Sequence, residues 1–269
     1  MNRRFRLLLA LMLTAPLWTP AASAAESGAE RIVDCMRDNV PQAQRIRRFE
    51  LREYDAEGLS RTYQGRVAVR IGGTGEGEAA GWNLVVHMTH PADVSGSAYL
   101  YKAASLDAAP HTYVYLSGLR RVRHVSGGAD VAGSFLGSNF TFQELRQLAG
   151  GFEGSAVRVD ARDTVAGRPV WVLSVATGGA GARESARVWT DEQTCVPLRV
   201  DFLADGQVAK RYRVQPEALR REGRYWFASE AQMSTESSGS RSVLRLDGVD
   251  SQARLSSVDF NPAQFYQRN

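Results

Sequence analysis

From Phe49 onward, apolar and polar residues change places at every step over one short run after another. This is the two-residue period of a strand with one buried face. Phe49 and Leu51 alternate with Glu50 and Arg52, and Val67, Val69 and Ile71 alternate with Arg66, Ala68 and Arg70. In the next run Trp82, Leu84, Val86 and Met88 share one face, and Asn83, Val85, His87 and Thr89 share the other. Runs at 99–101 and 112–116 continue the series, the second with Tyr113 and Tyr115 on one side. The pattern returns over 156–160, 170–176, 186–190, 198–202, 208–214, 225–233, 243–246 and 251–258. Turns such as Ala166-Gly167-Arg168, Ala204-Asp205-Gly206-Gln207 and Glu222-Gly223-Arg224 read as hairpin connections. A short helix precedes the strands at 30–40, where Ile32, Val33 and Met36 fall at helical spacing and Pro41 follows its end.

Many strands, short turns and few helices predict a mainly β protein with a few helices, laid out as an antiparallel meander. A sheet this long has to curl. Closing into a barrel removes both edges, whereas a part-open gutter leaves a trough for helices to fill. The periodicity leaves both open. No Pro/Ser-rich linker, charge block or repeat divides residues 25–269, so one domain is expected there.

The first 24 residues have the features of an export signal. Arg3, Arg4 and Arg6 precede an apolar core at 7–13, Pro16 and Pro20 break it, and Ala22-Ser23-Ala24 supplies a small-residue cleavage site. The core is far shorter than the ~20 apolar residues of a membrane span. Removing the signal also removes three of the four net positive charges, leaving 30 basic residues against 29 acidic ones. With no basic stripe and no RNA-binding motif, nucleic acid is not an expected partner. In an oxidising compartment the two cysteines, Cys35 and Cys195, read as one disulfide, with two independent buried thiols as the alternative.

The stretch at 111–148 carries the most specific signal. A strand bearing Tyr113 and Tyr115 runs into a basic turn (Arg120, Arg121, Arg123, His124), then into a Gly/Ser-rich passage holding Phe135, Leu136, Phe140 and Phe142. Exposing large apolar groups on a flexible segment forfeits about 1.5–3 kcal/mol each, so this passage is expected to close over something apolar. A strand ending in an aromatic and Leu, a basic turn and then GSFLGSNFTFQEL is an order of parts that resembles the LolA-like outer-membrane lipoprotein-sorting proteins. That resemblance implies a half-open, incomplete β-barrel covered by helices. It also implies a periplasmic setting and a carrier that shields acyl chains of a lipoprotein or lipid, working with an inner-membrane exporter of the RND type.

In this reading Phe135, Leu136, Phe140 and Phe142 form a lid, with Gly127, Gly128, Gly133 and Gly137 as its hinges. Trp82, Leu84, Val86, Met88, Tyr113 and Tyr115 form the cavity wall. Arg120, Arg121 and Arg123 contact a lipid headgroup or a partner protein, or simply form a solvated turn. The chain is expected to be a monomer without cofactor, metal or catalytic residues. His87 and His90 stand three apart on a strand and so point to opposite faces. Gly133-Ser134-Phe135-Leu136-Gly137 is not a nucleophile elbow, and the glycine run at 72–77 lacks the lysine of a phosphate loop. Two rivals remain: a non-catalytic accessory subunit of an envelope transporter with a filled core, and a hydrolase, for which no nucleophile or acid/base pair is visible.

Overall fold

The computed structural model describes residues 22–72, 81–104, 111–125, 134–150, 152, 155–177 and 183–267. Most of the expected leader lies outside them, as do Gly127, Gly128 and Gly133 of the expected hinges and most of the glycine run at 72–77. In chain order the elements are α1 (Ala22–Asp38), β1 (Ala43–Asp55), β2 (Gly58–Ile71), β3 (Trp82–His90), β4 (Ala98–Ala103), β5 (His111–Leu116) and β6 (Arg121–Val125). There follow α2 (Phe142–Gly150), β7 (Ala156–Val165), β8 (Arg168–Ala176), β9 (Glu184–Asp191), β10 (Pro197–Ala204) and β11 (Gln207–Arg213). The last are β12 (Leu219–Glu222), β13 (Tyr225–Ala228), β14 (Glu230–Thr235) and β15 (Arg241–Asp250). Among the described residues no helix is long and apolar enough to cross a membrane.

One antiparallel sheet takes up thirteen of the strands, in the order β6-β5-β4-β3-β2-β1-β15-β14-β11-β10-β9-β8-β7. Its edges, β6 and β7, do not pair with each other, so the barrel is incomplete. Laid flat at ~4.8 Å per strand it would be roughly 58 Å wide. The helices show that it is not flat. α1 packs on β7 and on α2, while Phe142 of α2 stacks on Tyr101 of β4 with ring centroids 4.8 Å apart. Two helices, each about 10–12 Å across with side chains, bridge strands from opposite wings only if the sheet curls around them. The half-open barrel covered by helices is therefore the observed fold.

Ala29, Ile32 and Met36 form the buried stripe of α1, and its far end is fixed twice. Cys35 is joined to Cys195, 160 residues away, with Cα atoms 5.9 Å apart. The Asn39 amide exchanges hydrogen bonds with the backbone of Trp226, donating to its carbonyl at 2.8 Å and accepting from its N–H at 2.6 Å, and also donates to the Thr194 carbonyl. Within the sheet Gly65 has no substitute. A Cβ there would stand 2.3 Å from the His87 carbonyl oxygen and 2.7 Å from the Phe49 ring.

Three strand expectations are corrected. Arg121, Arg123 and His124, expected in a basic turn, lie on the edge strand β6, and only Arg120 of that group is in the turn. The run at 225–233 is interrupted at Ser229: β13 pairs with β12 as a separate two-stranded sheet, and only β14 joins the main one. The run at 251–258 is not a strand. Its residues leave β15 in a turn and enter a 3-10 turn, Ser257–Phe260, closed by a Ser256–Asp259 capping box. The chain then crosses the outer face of the sheet, burying Phe260 and Phe265 against Ala68, Val85, Ala98 and Leu100. Strands β2 to β4 are thus buried on both faces. A main core lies on the helix-covered side and a smaller one lies beneath the C-terminal segment.

Candidate functional site

The expected lid is a closed, tightly bonded segment. The Phe135 N–H donates to the Phe140 carbonyl at 2.6 Å, and a bridge joins Ser134 to Thr141. Thr141 and Glu144 then cap α2 reciprocally: the Glu144 N–H donates to the Thr141 hydroxyl at 3.1 Å and the Thr141 N–H donates to the Glu144 carboxylate at 2.8 Å. Asn139 fixes the segment to the sheet. Its Nδ2 donates to the Thr235 hydroxyl at 2.8 Å and to Ser240, and its backbone N–H donates to the Ser242 hydroxyl at 2.8 Å. Lys210 Nζ adds a bond to the Asn139 carbonyl and an ion pair with Glu144 at 3.0 Å. Beneath this latch the Ser242 hydroxyl lies 2.7 Å from a carboxylate oxygen of Glu53. Burial pushes the Glu53 pKa up, and the Ser242 bond only partly offsets it.

The rings of the segment point inward. Phe135, Phe140 and Phe142 are buried, and Leu136 is half-buried with a left-handed backbone (φ 56°). A chain of rings runs from Trp82 to Tyr101, to Phe142, to Phe135 and on to Phe49, with centroid separations of 4.8 to 6.2 Å. Trp82, Leu84, Val86 and Met88 belong to this core. Tyr113 and Tyr115 do not. The register pairs Tyr113 with Leu100 and Tyr115 with Ala98, which places both on the outer face. Tyr115 stacks on Tyr266 at 4.0 Å and Tyr113 on His124 at 4.7 Å. The expected cavity wall is therefore split between the two sides of the sheet. Arg121 and Arg123 lie exposed on the edge strand β6, and Arg120 is exposed in the turn before it, at φ 47°.

A hollow of ≈ 210 Å³ lies between the helices and the middle of the sheet. Met36 of α1, Leu145 and Leu148 of α2, and Phe140 cover it; Ile46, Ala231 and Leu244 are on the sheet side; Trp226 and Phe227 of the β12–β13 hairpin close one end. Of the residues expected to line a cavity from the sequence, Phe140 alone does so, since the ring chain fills the space around Phe135, Phe142 and the β3 residues. The residues missed had signals of their own: Leu145 and Leu148 three apart behind a Thr-x-x-Glu cap, and Leu244 and Leu246 two apart on a strand. None of the residues around the hollow carries a carboxylate, amine or guanidinium. Its phenol, Tyr212, is buried, and burial pushes its pKa up. Its cysteine, Cys195, is tied in the disulfide. Such a lining suits apolar matter, and it presents no ionisable group poised for proton transfer or nucleophilic attack at neutral pH. Larger concavities of ≈ 880, ≈ 710 and ≈ 570 Å³ lie elsewhere, each bordered by charged side chains. Among the described residues no three His, Cys, Asp or Glu side chains come together as metal ligands.

The fold has close counterparts among solved structures. A DUF1329 family protein from Desulfovibrio piger is 17% identical with a TM-score of 0.75, over 88% of this chain and 97% of that one. A domain described as an outer membrane lipoprotein-sorting protein, from Vibrio parahaemolyticus, is 22% identical with a TM-score of 0.74, over 90% and 100%. A LolA superfamily protein from Nitrosomonas europaea is 14% identical with a TM-score of 0.63, over 87% and 97%. No match is found among curated proteins. A family model described as "-like: Uncharacterized protein" matches residues 83–267. The chain belongs to that family, and it shares the fold of these three solved structures, the LolA superfamily protein among them.

Proposed function

We propose that this protein is a non-catalytic carrier that shelters an acyl chain of a lipoprotein or lipid in the hollow beneath α1 and α2. The observation that carries this reading is the uncharged hollow itself, set between the two helices and the sheet. The aqueous barrier it removes is large: at ~0.8 kcal/mol per methylene, sixteen carbons cost about 12 kcal/mol to expose. A chain passing from one apolar environment to another avoids that cost, and no bond needs to be made or broken. At ≈ 210 Å³ the hollow is smaller than the ~300–1,000 Å³ of most ligand sites, so loading requires the covering segment to lift. The Asn139 latch and the α2 cap are the contacts that would have to yield.

The setting proposed is the cell envelope after export and removal of residues 1–24, with residues 25–269 acting as one domain and one monomer. The export signal and the name of the Vibrio parahaemolyticus relative support it. Exchange with an inner-membrane exporter of the RND type is part of the proposal. It is supported by the family resemblance and by the exposed Arg120, Arg121 and Arg123 at the open sheet edge. One observation favours the second reading, an accessory subunit with a filled core: the ring chain around Phe135 and Phe142 leaves no space on that side.

Native mass spectrometry of protein purified from envelopes, paired with Ala231→Leu, separates the two. Ala231 borders the hollow, and its enlargement fills it. The carrier predicts co-purifying lipid or lipopeptide, lost in Ala231→Leu while thermal stability rises by about 0.5–2 kcal/mol. Protein free of lipid in both forms would establish the filled module. Replacing Phe135 or Phe140 would be a poorer test, because removing a buried phenyl costs about 3–5 kcal/mol and confounds binding with folding.

A further inference from the structure

The outer face of the sheet carries a second concavity, ≈ 570 Å³, unrelated to the apolar hollow. Its walls hold Arg45, Arg47 and Arg66, its floor is Ala68 and Val85, and His87 and Phe265 close one side. A β-bulge builds it. The register between β1 and β2 shifts by one residue between Ile46 and Phe49, so Arg47 and Arg48 both point outward while Ile46 and Phe49 remain buried. Without the bulge, strict alternation would send one of those two arginines into the core. Bulges commonly re-aim side chains at functional sites.

Arg48 is taken by an ion pair with Asp247. Arg47 instead lies across Gly248, where a Cβ would stand 3.0–3.3 Å from its Cβ, Cγ and Cδ, so the glycine provides the bed for its stem. Among the described residues, none of Arg45, Arg47 and Arg66 forms an ion pair with a carboxylate. Asp259 borders the concavity, but its carboxylate accepts the Ser256 N–H and hydroxyl at 2.6 and 2.8 Å. Asp250 stands opposite Arg45 in the register, and its carboxylate accepts the Gln252 N–H.

We infer that Arg45, Arg47 and Arg66 form a binding site for a phosphoryl-type oxyanion carried on a partly apolar ligand, on the side of the sheet opposite the acyl-chain hollow. Guanidinium groups suit phosphate because their donor fork matches two of its oxygens. The volume falls within the range of small-molecule sites, and the Ala68 and Val85 floor suits an apolar portion beside the charge. The source of the phosphoryl group, a lipid headgroup or a free phosphate, is left for the experiment to separate.

His87 is the built-in reporter. Its Nε2 lies 2.8 Å from the Phe265 carbonyl, which accepts a hydrogen bond from the ring. Burial lowers its pKa, the Phe265 carbonyl opposes this, Arg66 and Arg45 lower it further, and Asp259 acts weakly the other way. An anion seated between the arginines cancels their repulsion, so His87 must titrate at higher pH when the site is filled.

The test is a His ring-proton titration of the purified protein at constant ionic strength. It is run without additive, with inorganic phosphate, with phosphatidylglycerol–phosphatidylethanolamine vesicles and with phosphatidylcholine vesicles. A saturable rise in the His87 titration point with phosphate identifies a free phosphoryl compound as sufficient, and a rise with the phosphatidylglycerol vesicles alone identifies a lipid headgroup. In Arg45→Ala/Arg47→Ala/Arg66→Ala, which alters only exposed side chains, His87 should start higher and binding should weaken at least tenfold. Arg47→Lys should retain an intermediate affinity. An unmoved His87 under every additive, or equal binding by the triple variant, would overturn the proposal.

Discussion

Asp191 has no exposed surface, and it holds the turn that presents Cys195. One of its carboxylate oxygens accepts the Thr194 N–H at 2.8 Å, the Thr194 hydroxyl at 2.9 Å and the Gln193 N–H at 3.0 Å, and both oxygens meet the Arg168 guanidinium. Burial pushes its pKa up, but the Arg168 bond and the Thr194 donors together hold it below the ordinary carboxylate value. The folded state therefore binds this proton less readily than the unfolded chain. The stabilisation is complete above the unfolded value of ~3.9 and is lost as pH falls through the lowered folded value. Asp191→Ala removes the carboxylate from Arg168, leaving it only the Gln193 amide oxygen, and should cost about 3–5 kcal/mol in urea unfolding near neutral pH. Glu53 carries the opposite sign. Its raised pKa means that the folded protein holds a proton the unfolded chain gives up, so stability falls as pH rises through that window. Glu53→Gln should be the more stable form at neutral pH and should flatten that part of the pH profile; a variant no more stable than the parent would remove the claim that burial of the Glu53 carboxylate costs stability.

At the scale of elements, α1 is held at its far end by the disulfide and by Asn39, which ties it to the hairpin that closes the hollow. Chain-entropy arithmetic for so long a loop gives roughly 5 kcal/mol as an upper figure for the cross-link. Cys35→Ser/Cys195→Ser should lose a large part of that, with amide exchange in α1 rising first. Unchanged α1 protection would show that Asn39 and the Ile32–Met36 stripe suffice. Most strands were legible because they turn apolar residues to at least one core; β6, read as a basic turn, and the short β12 were not, since each carries mainly exposed charged residues. Which face looked inward was not legible either. β3 and β4 bury Val85 and Leu100 on one side and Val86 and Tyr101 on the other, so their alternation does not mark a solvent face, and Tyr113 and Tyr115 were assigned to the wrong side. Ser229 separates β13 from β14 without any glycine or proline to signal it. The bulge at Arg47 and Arg48 hid the outer arginine cluster, because a strict two-residue period cannot place consecutive side chains on one face.

At the scale of the whole molecule, the order of parts in 111–148 led to the right fold, because the closing segment and the sheet it covers have to be built together. It did not locate the hollow. That space depends on how far α1 and α2 stand from β14 and β15, elements more than a hundred residues from α1 in the chain, and no local pattern encodes such a distance. The ring chain fills the wing of the sheet around β3 and β4, while the uncharged space opens over its middle. The proposed carrier would load by lifting the helical wall from the sheet. The most direct measurement is paramagnetic broadening of methyl signals by a spin-labelled fatty acid. The account predicts selective loss of the Leu145, Leu148 and Leu244 signals around the hollow, with Val85 and Leu100 on the far side of the sheet spared. Undiminished signals at saturating fatty acid, or broadening that treats both faces alike, would contradict it.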